Sequence, residues 1–471
     1  MSSDSTDNGG PRPENRVRVG MISLGCAKNL VDGEVMMGSL QREGVELTAD
    51  AAAADVVIVN TCGFINDAKR ESIDNILEVA AAKQAGSVKR LVVAGCMAQA
   101  YANDLAAEIP EIDAFIGLDE LELITDAVRG KLAGHVPDQR GALRVYDHSS
   151  PRLVSTGGHA FIKVAEGCNN PCTFCHIPAM RGEFRSRTID DLVAEARALG
   201  ERGAMELNLI AQDTTRYGED LGLAGGLYEL VRALLDRTDI PWIRFLYAYP
   251  ATLDERLFEL MASADRFLPY LDIPLQHASR PVLKAMKRGG DARSYGQMIQ
   301  RARAVVPKLT LRTTLIVGFP GEGEAEFDEL LQFVETTRFD HVGVFTYSWQ
   351  EENPGSELGD PVPEEVKQER RDRIMELQQQ ISLERNRELI GSTLPALVGG
   401  RLAEMDLLLE GRLQRQAPEI DGRLLINDGS AAAGSLVRVE ISDAFPYDVV
   451  GRIVDVIREG RLPTAVLPVM G

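Results

Sequence analysis

The spacing of apolar residues over the first quarter of the chain predicts an α/β fold with a doubly wound parallel sheet. Nearly continuous apolar runs of strand length are each followed by a stretch in which apolar residues recur at helical spacing. Strands that alternate with helices in this way form parallel sheets covered by helices. The predicted strands are residues 16–25, 55–60, 90–95 and 113–118, and the predicted helices are residues 29–44, 67–85 and 98–108.

The next part of the chain repeats the strand–helix pattern six times, which predicts a partial (βα)6 barrel. One helix is expected to begin at Thr188, with Asp191 three residues later in the arrangement of a capping box. A long, charged helix over about 363–389 closes this region. The predicted strands are residues 160–166, 205–211, 242–248, 270–275, 309–318 and 341–347.

The last part of the chain has closely spaced turn signals, such as "DGR" and "NDGS", between short apolar runs. This pattern is typical of a small all-β barrel. From Gly391 to the end there are 8 basic and 11 acidic residues, a net charge of −3. Small barrels often bind nucleic acid, but an acidic barrel lacks the electrostatic footprint for RNA.

A length of 471 residues requires more than one hydrophobic core, so two or three domains are expected. The first residues are polar and rich in glycine and proline, without the apolar core of a secretory signal. No apolar run approaches the roughly 18 residues of a membrane span. We therefore expect a cytoplasmic protein without a membrane anchor. Its predicted parts are a disordered tail, a sheet domain, a barrel domain and a β-barrel domain, at residues 1–16, 17–135, 155–390 and 391–471.

The charge of the chain argues against nucleic acid as the main partner. It has 51 basic and 71 acidic residues, a net charge of −20. Such a surface repels phosphate backbones and attracts a basic partner. Solubility alone is the simpler explanation of this charge, and a local basic patch is compatible with it.

Three of the six cysteines each follow a predicted strand of the first domain: Cys26, Cys62 and Cys96. Ligands of open parallel sheets lie outside the carboxyl ends of the strands, and adjacent strands are about 4.8 Å apart. Three loops at that edge can therefore bring three thiolates to one point, which indicates a metal or cluster site. The alternative is three small core residues. Disulfides are not expected in a reducing cytoplasm.

The other three cysteines, Cys168, Cys172 and Cys175, have the spacing C-x-x-x-C-x-x-C directly after the first barrel strand. Active sites of βα barrels lie at that face. Three cysteines can hold a 4Fe-4S cluster and leave one iron open for another ligand. The alternative is zinc with His176 as the fourth ligand, but His176 directly follows Cys175, which strains a closed tetrahedral site.

The residues around this second triad resemble those of radical S-adenosylmethionine (SAM) enzymes. C-x-x-x-C-x-aromatic-C after the first barrel strand is their signature, and Phe174 is the aromatic residue here. "LIVGFPGE", residues 315–322, resembles the fifth-strand segment that contacts the adenine of SAM in that superfamily. The resemblance implies that Gly318 and Gly321 allow the backbone to approach the cofactor closely.

Over residues 17–471 the chain resembles the methylthiotransferases, in which a three-cysteine domain precedes the radical SAM barrel and a TRAM domain follows it. All six cysteines match the two cluster-binding sets of that family. The resemblance implies two 4Fe-4S clusters and SAM as cofactors. It also implies that the second triad supports radical formation, while the cluster of the first triad supplies the methylated sulfur. An unactivated C–H bond requires such a cofactor radical, because no side-chain base breaks it.

The family has a ribosomal-protein branch and a tRNA branch, and this chain resembles the former. "SLGCAKNLVDGEVMMG" is similar to it, whereas the tRNA branch usually has Gln-Met-Asn in place of residues 27–29. Glu351 and Glu352 stand where the tRNA branch has basic, glycine and proline residues. The implied reaction adds a methylthio group to the β-carbon of an aspartate in small-subunit ribosomal protein twelve. Its partners would be that protein, free or in the subunit, an electron donor and a sulfur source.

Two other functions stay open from the sequence. One is methylthiolation of isopentenyl-adenosine in tRNA, and the other is a non-enzymatic iron–sulfur carrier or scaffold. Further candidate contacts with cofactor or substrate are Gln276 and His277 at the end of the fourth barrel strand. Arg185 and Arg187 are candidates for binding a carboxylate, or form a solvated basic pair.

Overall fold

The computed structural model describes residues 17–50, 53–137, 145–402, 405–460 and 469–470. The predicted disordered tail, residues 1–16, lies outside them. The N-terminal region alternates strands with helices, as predicted. Its elements are β1 (Arg18–Ser23), α1 (Ala27–Arg42), β2 (Glu46–Leu47), β3 (Val56–Thr61), α2 (Asn66–Gln84), β4 (Arg90–Gly95), α3 (Cys96–Glu108), β5 (Ile112–Ile116) and α4 (Ile124–Val128).

The N-terminal strands form one parallel sheet in the order β2-β1-β3-β4-β5. Helices α1 and α4 pack on one face, where Met36 and Ile124 share a core cluster with Ile58, and α2 and α3 pack on the other face, in a cluster with Val57 and Val93. The predicted doubly wound sheet is therefore confirmed. Because the strand order reverses between β1 and β3, a crevice opens at the carboxyl ends of these two strands.

The central region contains the six predicted βα strands together with a short antiparallel pair, β7 and β8. Its elements are β6 (His159–Lys163), β7 (Ala165–Glu166), α5 (Ile177–Arg181), β8 (Arg185–Ser186), α6 (Ile189–Glu201), β9 (Glu206–Ile210), α7 (Gly226–Arg237), β10 (Trp242–Phe245), α8 (Arg256–Ser263), β11 (Tyr270–Asp272), α9 (Arg280–Ala285), α10 (Ala292–Val305), β12 (Thr310–Val317), α11 (Glu324–Thr337), β13 (His341–Thr346) and α12 (Glu364–Arg387).

The six long strands of this region follow one another in space as they do in sequence. Parallel sheets β6-β9-β10 and β11-β12-β13 meet at a parallel bridge between Ile243 and Phe267. Among the described residues, β6 and β13 are not paired, so the barrel is partial and open on one side. The apolar residues that point outward from the strands pack against the surrounding helices.

Helix α6 shows how far the local prediction reached. The Thr188 hydroxyl accepts a hydrogen bond from the backbone N–H of Asp191 at 3.3 Å, which caps the helix as predicted. The Asp191 carboxylate does not complete the capping box. It accepts hydrogen bonds from the Arg187 side chain at 2.6 Å and from the backbone N–H of His148 at 2.8 Å.

The C-terminal region forms the predicted small barrel, closed in the order β14-β15-β16-β18-β17. A final short strand, β19, instead pairs in parallel with β1, so the end of the chain extends the N-terminal sheet. These elements are β14 (Thr393–Leu402), β15 (Met405–Leu413), β16 (Leu424–Asp428), β17 (Leu436–Ala444), β18 (Val449–Arg458) and β19 (Val469–Met470).

Buried polar contacts fix the small barrel against the strands of the central barrel. The hydroxyl of Tyr270 donates a hydrogen bond to Asp421 at 2.6 Å, and Arg412 pairs with the fully buried Glu206 at 2.6 Å. In the described residues, we find no helix that is both long enough and apolar enough for a membrane crossing.

Candidate active site between two cysteine triads

The first cysteine triad lies at the crevice of the N-terminal sheet. Cys26 immediately precedes α1, Cys62 follows β3, and Cys96 is the first residue of α3. A Cβ atom on Gly25, whose φ is +92°, would lie only 3.2 Å from Sγ of Cys62, so the loop that carries Cys26 passes directly over Cys62. The structure therefore brings these loops together at the carboxyl ends of β1, β3 and β4, as the sequence predicted.

Two asparagines that the sequence analysis did not single out hold these loops in place. Asn29 donates its amide hydrogens to the carbonyl oxygens of Leu24 at 2.6 Å and Thr61 at 3.2 Å. Asn60 donates to the carbonyl oxygen of Asn29 at 2.8 Å and to the hydroxyl of Ser23 at 3.3 Å. Asn29 follows Cys26 by three residues and Asn60 precedes Cys62 by two. This closeness to the cysteines was the only feature of the sequence that could have identified them as part of the site.

The second triad occupies the loop between β7 and α5, at the carboxyl end of the first barrel strand. Cys168 and Cys172 are buried, and Cys175 is partly buried. Sγ of Cys168 accepts the backbone N–H of Asn170 at 3.5 Å, and Sγ of Cys172 accepts a hydrogen bond from Arg288 at 3.6 Å. Such donors stabilise a thiolate that binds iron.

Most of these thiols are protonated near neutral pH unless a metal binds. Burial raises the pKa of Cys62 and of Cys175 to about 12. The Cys26 side chain is exposed and its pKa is lowered, because Lys28, Arg181 and the backbone N–H groups that begin α1 together outweigh local desolvation. Since metal ligation requires thiolates, loading of the two triads must release protons.

The spacing of the thiols favours a cluster over a single zinc ion. Three sulfurs around tetrahedral zinc, at about 2.3 Å from the metal, lie about 3.8 Å apart. Among the described residues, neither triad has all three sulfurs within 4.8 Å of one another. His176 also turns its Nδ1 toward the carbonyl oxygen of Glu352, at 2.9 Å. Three cysteine thiolates in each triad are the ligand type that 4Fe-4S clusters use, and such a set would leave one iron open.

One buried arginine connects the two triads. Arg181 ends the short helix that follows the second triad, and its guanidinium donates a hydrogen bond to Sγ of Cys96 at 3.1 Å. The side chain is 1% exposed. The sequence analysis named Arg185 and Arg187 instead and missed this residue.

The two arginines that the sequence analysis named have structural partners. Arg187 is buried and pairs with Asp191 at 2.6 Å and Glu195 at 2.5 Å, so it is not solvated. Arg185 donates to the carbonyl oxygen of Arg181 at 3.1 Å. The structure thus shows no free carboxylate-binding pair at these positions.

Gln276 and His277 follow β11, which ends at Asp272, and their side chains differ in their availability for a ligand. Nδ1 of the buried His277 accepts the backbone N–H of Ser279 at 2.9 Å, and Nε2 lies 3.1 Å from Glu322. Both ring nitrogens are therefore used within the protein. Gln276 has a left-handed backbone, with φ +71°, and its buried Oε1 has no hydrogen-bond partner among the described residues.

The two glycines after β12 have left-handed φ angles, +73° at Gly318 and +92° at Gly321. A Cβ atom on Gly318 would lie 2.3 Å from Cγ of Lys367, so that glycine allows α12 to pack against the strand end. A Cβ atom on Gly321 would meet no described atom within 4 Å. Close approach of the backbone to a cofactor therefore remains a prediction. Of the two glycines, Gly321 is the one with open space beside it.

Residues 349–355, which we call the bridging loop, join the two cysteine-bearing regions. Gln350 donates to the carbonyl oxygen of Phe64 at 2.9 Å in the N-terminal region. Asn353 donates to the carbonyl oxygen of Phe174 at 3.1 Å, inside the second triad's loop. The bridging loop thus fixes the rim shared by both triads.

Comparison with known families agrees with this geometry. Residues 18–117 match the "Uncharacterized protein family UPF0004", residues 162–334 match the radical SAM superfamily, and residues 390–454 match the TRAM domain. The radical SAM methyltransferase TsrM from Kitasatospora setae is similar in fold, with a TM-score of 0.54 and 17% identity over 73% of this chain and 77% of that one. Fold and site together define a radical SAM enzyme with an additional three-cysteine domain.

Relatives of known name make the assignment specific. The chain is 48% identical to the ribosomal protein uS12 methylthiotransferase RimO of Solibacter usitatus (strain Ellin6076), over 93% of this chain and 95% of that protein. It is 49% identical to the protein of the same name from Anaeromyxobacter sp. (strain K), over 93% of both chains. The chain belongs to the family of ribosomal protein uS12 methylthiotransferases, as the sequence resemblance indicated.

Proposed function

We propose that this protein adds a methylthio group to the β-carbon of an aspartate in ribosomal protein uS12. The observation that carries this proposal is the placement of two three-cysteine sites at the strand ends of adjoining domains, joined by Arg181 between Cys96 and the second triad's helix. A methylthiotransferase needs one site for radical formation and one for sulfur, and the two sites must face a common space. The close relatives of this chain carry the name of that activity.

The six cysteines would hold two 4Fe-4S clusters, one on each triad. When bound, the cluster at Cys168, Cys172 and Cys175 with SAM supplies a carbon radical, and the cluster at the first triad supplies the sulfur. The protein buries four of the six thiols, leaves Cys175 partly buried and Cys26 exposed, and contributes backbone and arginine hydrogen-bond donors to the ligand sulfurs. The unpaired Oε1 of Gln276 and the open backbone at Gly321 would contact SAM.

The partners follow from charge and chemistry. With a net charge of −20, the protein suits a basic ribosomal protein, free or within the subunit, better than tRNA. The reaction also needs an electron donor and a sulfur source. The cytoplasm is the compartment that we propose for this reaction, because its substrate is a ribosomal protein.

The substrate choice can be tested directly. After reconstitution with iron and sulfide, the enzyme with SAM and a reductant is expected to add one methylthio group to an aspartate of uS12 and none to isopentenylated tRNA. The basis is electrostatic, because binding to tRNA would require phosphate contacts that this acidic surface does not offer. Mass spectrometry of both substrates gives the answer, with uS12 that has asparagine at the modified position as the control. Modified tRNA beside unmodified uS12 would contradict the branch assignment.

The rim of the site differs from the sequence expectation, which treated Glu351 and Glu352 alike. Glu352 lies 3.7 Å from Lys69 and accepts a hydrogen bond from Tyr101 at 3.1 Å, so its charge is used within the protein. Glu351 is exposed. The aromatic side chain of Trp349, two residues before Glu351, is 39% exposed, and that of Phe64, whose carbonyl oxygen accepts a hydrogen bond from Gln350, is 38% exposed. A basic uS12 segment would meet Glu351 and these rings.

Charge reversal at Glu351 is therefore expected to weaken uS12 binding, by roughly fivefold at low salt and much less at high salt, because salt screens exposed charges. The matched control is Asp236→Lys, which makes the same change in net charge on an exposed residue near the end of α7. That helix end lies at the opposite face of the barrel, because helices run back from the carboxyl ends of the strands. Binding of uS12 by Glu351→Lys and Asp236→Lys should be compared at two salt concentrations. Equal effects of both variants would rule out a local contact at Glu351.

A further inference from the structure

Arg181 stands at the centre of a buried charge network that spans the two cysteine-bearing domains. Its Nη1 donates to Glu166 of β7 at 2.9 Å, and Nη2 lies 3.4 Å from Asp32 of α1 and 3.1 Å from Sγ of Cys96. Lys163 pairs with both carboxylates. All of these carboxylates and cations are less than 5% exposed.

The network holds the guanidinium in one orientation. Glu166 also accepts a hydrogen bond from Gln212 at 2.7 Å, so that carboxylate cannot swing away from Arg181. Asp32 and Glu166 belong to different domains, and the planar guanidinium reaches both while keeping an N–H directed at the sulfur of Cys96. A lysine has a single point of charge and cannot reproduce this three-way contact.

The charges in the network leave Cys96 dependent on Arg181. Lys163 and Arg181 together match the two carboxylates, Asp32 and Glu166. Among the described residues, Arg181 is the cation for which a hydrogen bond to the Cys96 sulfur is present. A positively charged donor on a ligand sulfur stabilises the more negative, reduced form of an iron–sulfur cluster. Its removal should therefore make that cluster harder to reduce.

We propose that Arg181 is a positioning residue that fixes Cys96 and raises the reduction potential of the cluster on the first triad. This inference rests on the proposed assignment of a cluster to Cys26, Cys62 and Cys96. Arg181 ends the helix that begins just after Cys175. The segment that carries the second triad would therefore influence the reduction potential of the cluster on the first triad.

The test isolates the first triad. In a chain with Cys168, Cys172 and Cys175 all replaced by alanine, the remaining cluster is titrated with a one-electron chemical reductant and followed by electron paramagnetic resonance. Arg181→Gln is expected to lower the equilibrium constant for reduction of the cluster about tenfold. For a one-electron couple this is a shift of about 59 mV to a more negative potential. Arg181→Lys keeps the positive charge but loses the planar set of N–H donors of the guanidinium, and it should give a smaller shift in the same direction. Iron content should stay at about four per chain.

Arg197→Gln is the matched control, because it removes the same charge from an exposed position on α6, where the side chain donates to the carbonyl oxygen of Arg237. It should leave the potential unchanged. If Arg181→Gln does not fold or hold iron, the Lys variant decides: a lower potential supports the proposal, and an unchanged one overturns it. Unchanged potentials in both variants with full iron also overturn it. If the chain that retains Arg181 binds no iron, the two-cluster assignment fails, and the proposal for Arg181 fails with it. If iron is bound but the potential is unchanged in the Arg181 variants, only the proposal for Arg181 fails.

Discussion

Replacing Cys168, Cys172 and Cys175 together by alanine is expected to halve the iron content after reconstitution, from about eight to about four per chain, and to abolish reductive cleavage of SAM. The three cysteines sit in one loop at the carboxyl end of the barrel, so their removal takes away every thiol ligand of that site. The first triad is built on other strands and should keep its own cluster. Iron analysis measures the number of clusters that remain, and the release of 5′-deoxyadenosine measures the reductive cleavage of SAM.

Serine at His176 is a suitable control for this prediction, because that residue would be a ligand only if the metal were zinc. His176→Ser should retain both iron and cleavage. A triple alanine variant that is folded and still holds about eight irons, or that loses all of them, would contradict the assignment of one cluster to each triad. Continued release of 5′-deoxyadenosine without the second triad would remove the basis for a radical SAM mechanism here.

Replacing Cys26, Cys62 and Cys96 by alanine is expected to separate the two halves of the chemistry. Such a variant should keep about four irons and continue to cleave SAM, but it should transfer no methylthio group to uS12. The reason is that these thiols lie in the N-terminal sheet domain, outside the loop that holds the second triad. The measurements are 5′-deoxyadenosine release and the mass of uS12 in the same reaction.

A non-enzymatic iron–sulfur scaffold predicts a different result. It would release no 5′-deoxyadenosine from the intact chain or from either triple variant. Loss of SAM cleavage in a folded first-triad variant that keeps the barrel cluster would contradict the division of roles. Retention of methylthio transfer in that variant would contradict it equally.

The architecture was predictable because each element has a local cause. The strands predicted at residues 55–60 and 90–95 are short apolar runs, and the structure has them at Val56–Thr61 and Arg90–Gly95. The position of a cysteine after each strand, combined with the rule that ligands meet at the carboxyl ends of parallel strands, was enough to bring the first triad together. The second triad was recognisable from its spacing, its position directly after the first barrel strand and the aromatic Phe174 before its last cysteine.

The missed features depend on contacts between distant parts of the chain. Arg181 and Cys96 are 85 residues apart, and their contact requires the packing of two domains, which no local pattern specifies. Glu352 and Tyr101 are separated by 251 residues, and their hydrogen bond gives the exposed rim carboxylate a partner within the protein. Strand β19 joins the first sheet through main-chain pairing, which carries little information in its short sequence.

The central claim is that this protein modifies uS12 through two cysteine-bound clusters, and mass spectrometry of ribosomal proteins and tRNA from cells that lack the gene tests it most directly. The account predicts that uS12 loses one methylthio group while methylthiolated tRNA is unchanged. It further predicts that the gene restores the modification, whereas a copy that lacks either triad does not. Loss of the tRNA modification with uS12 unaffected, or restoration by a copy without the first triad, would contradict it.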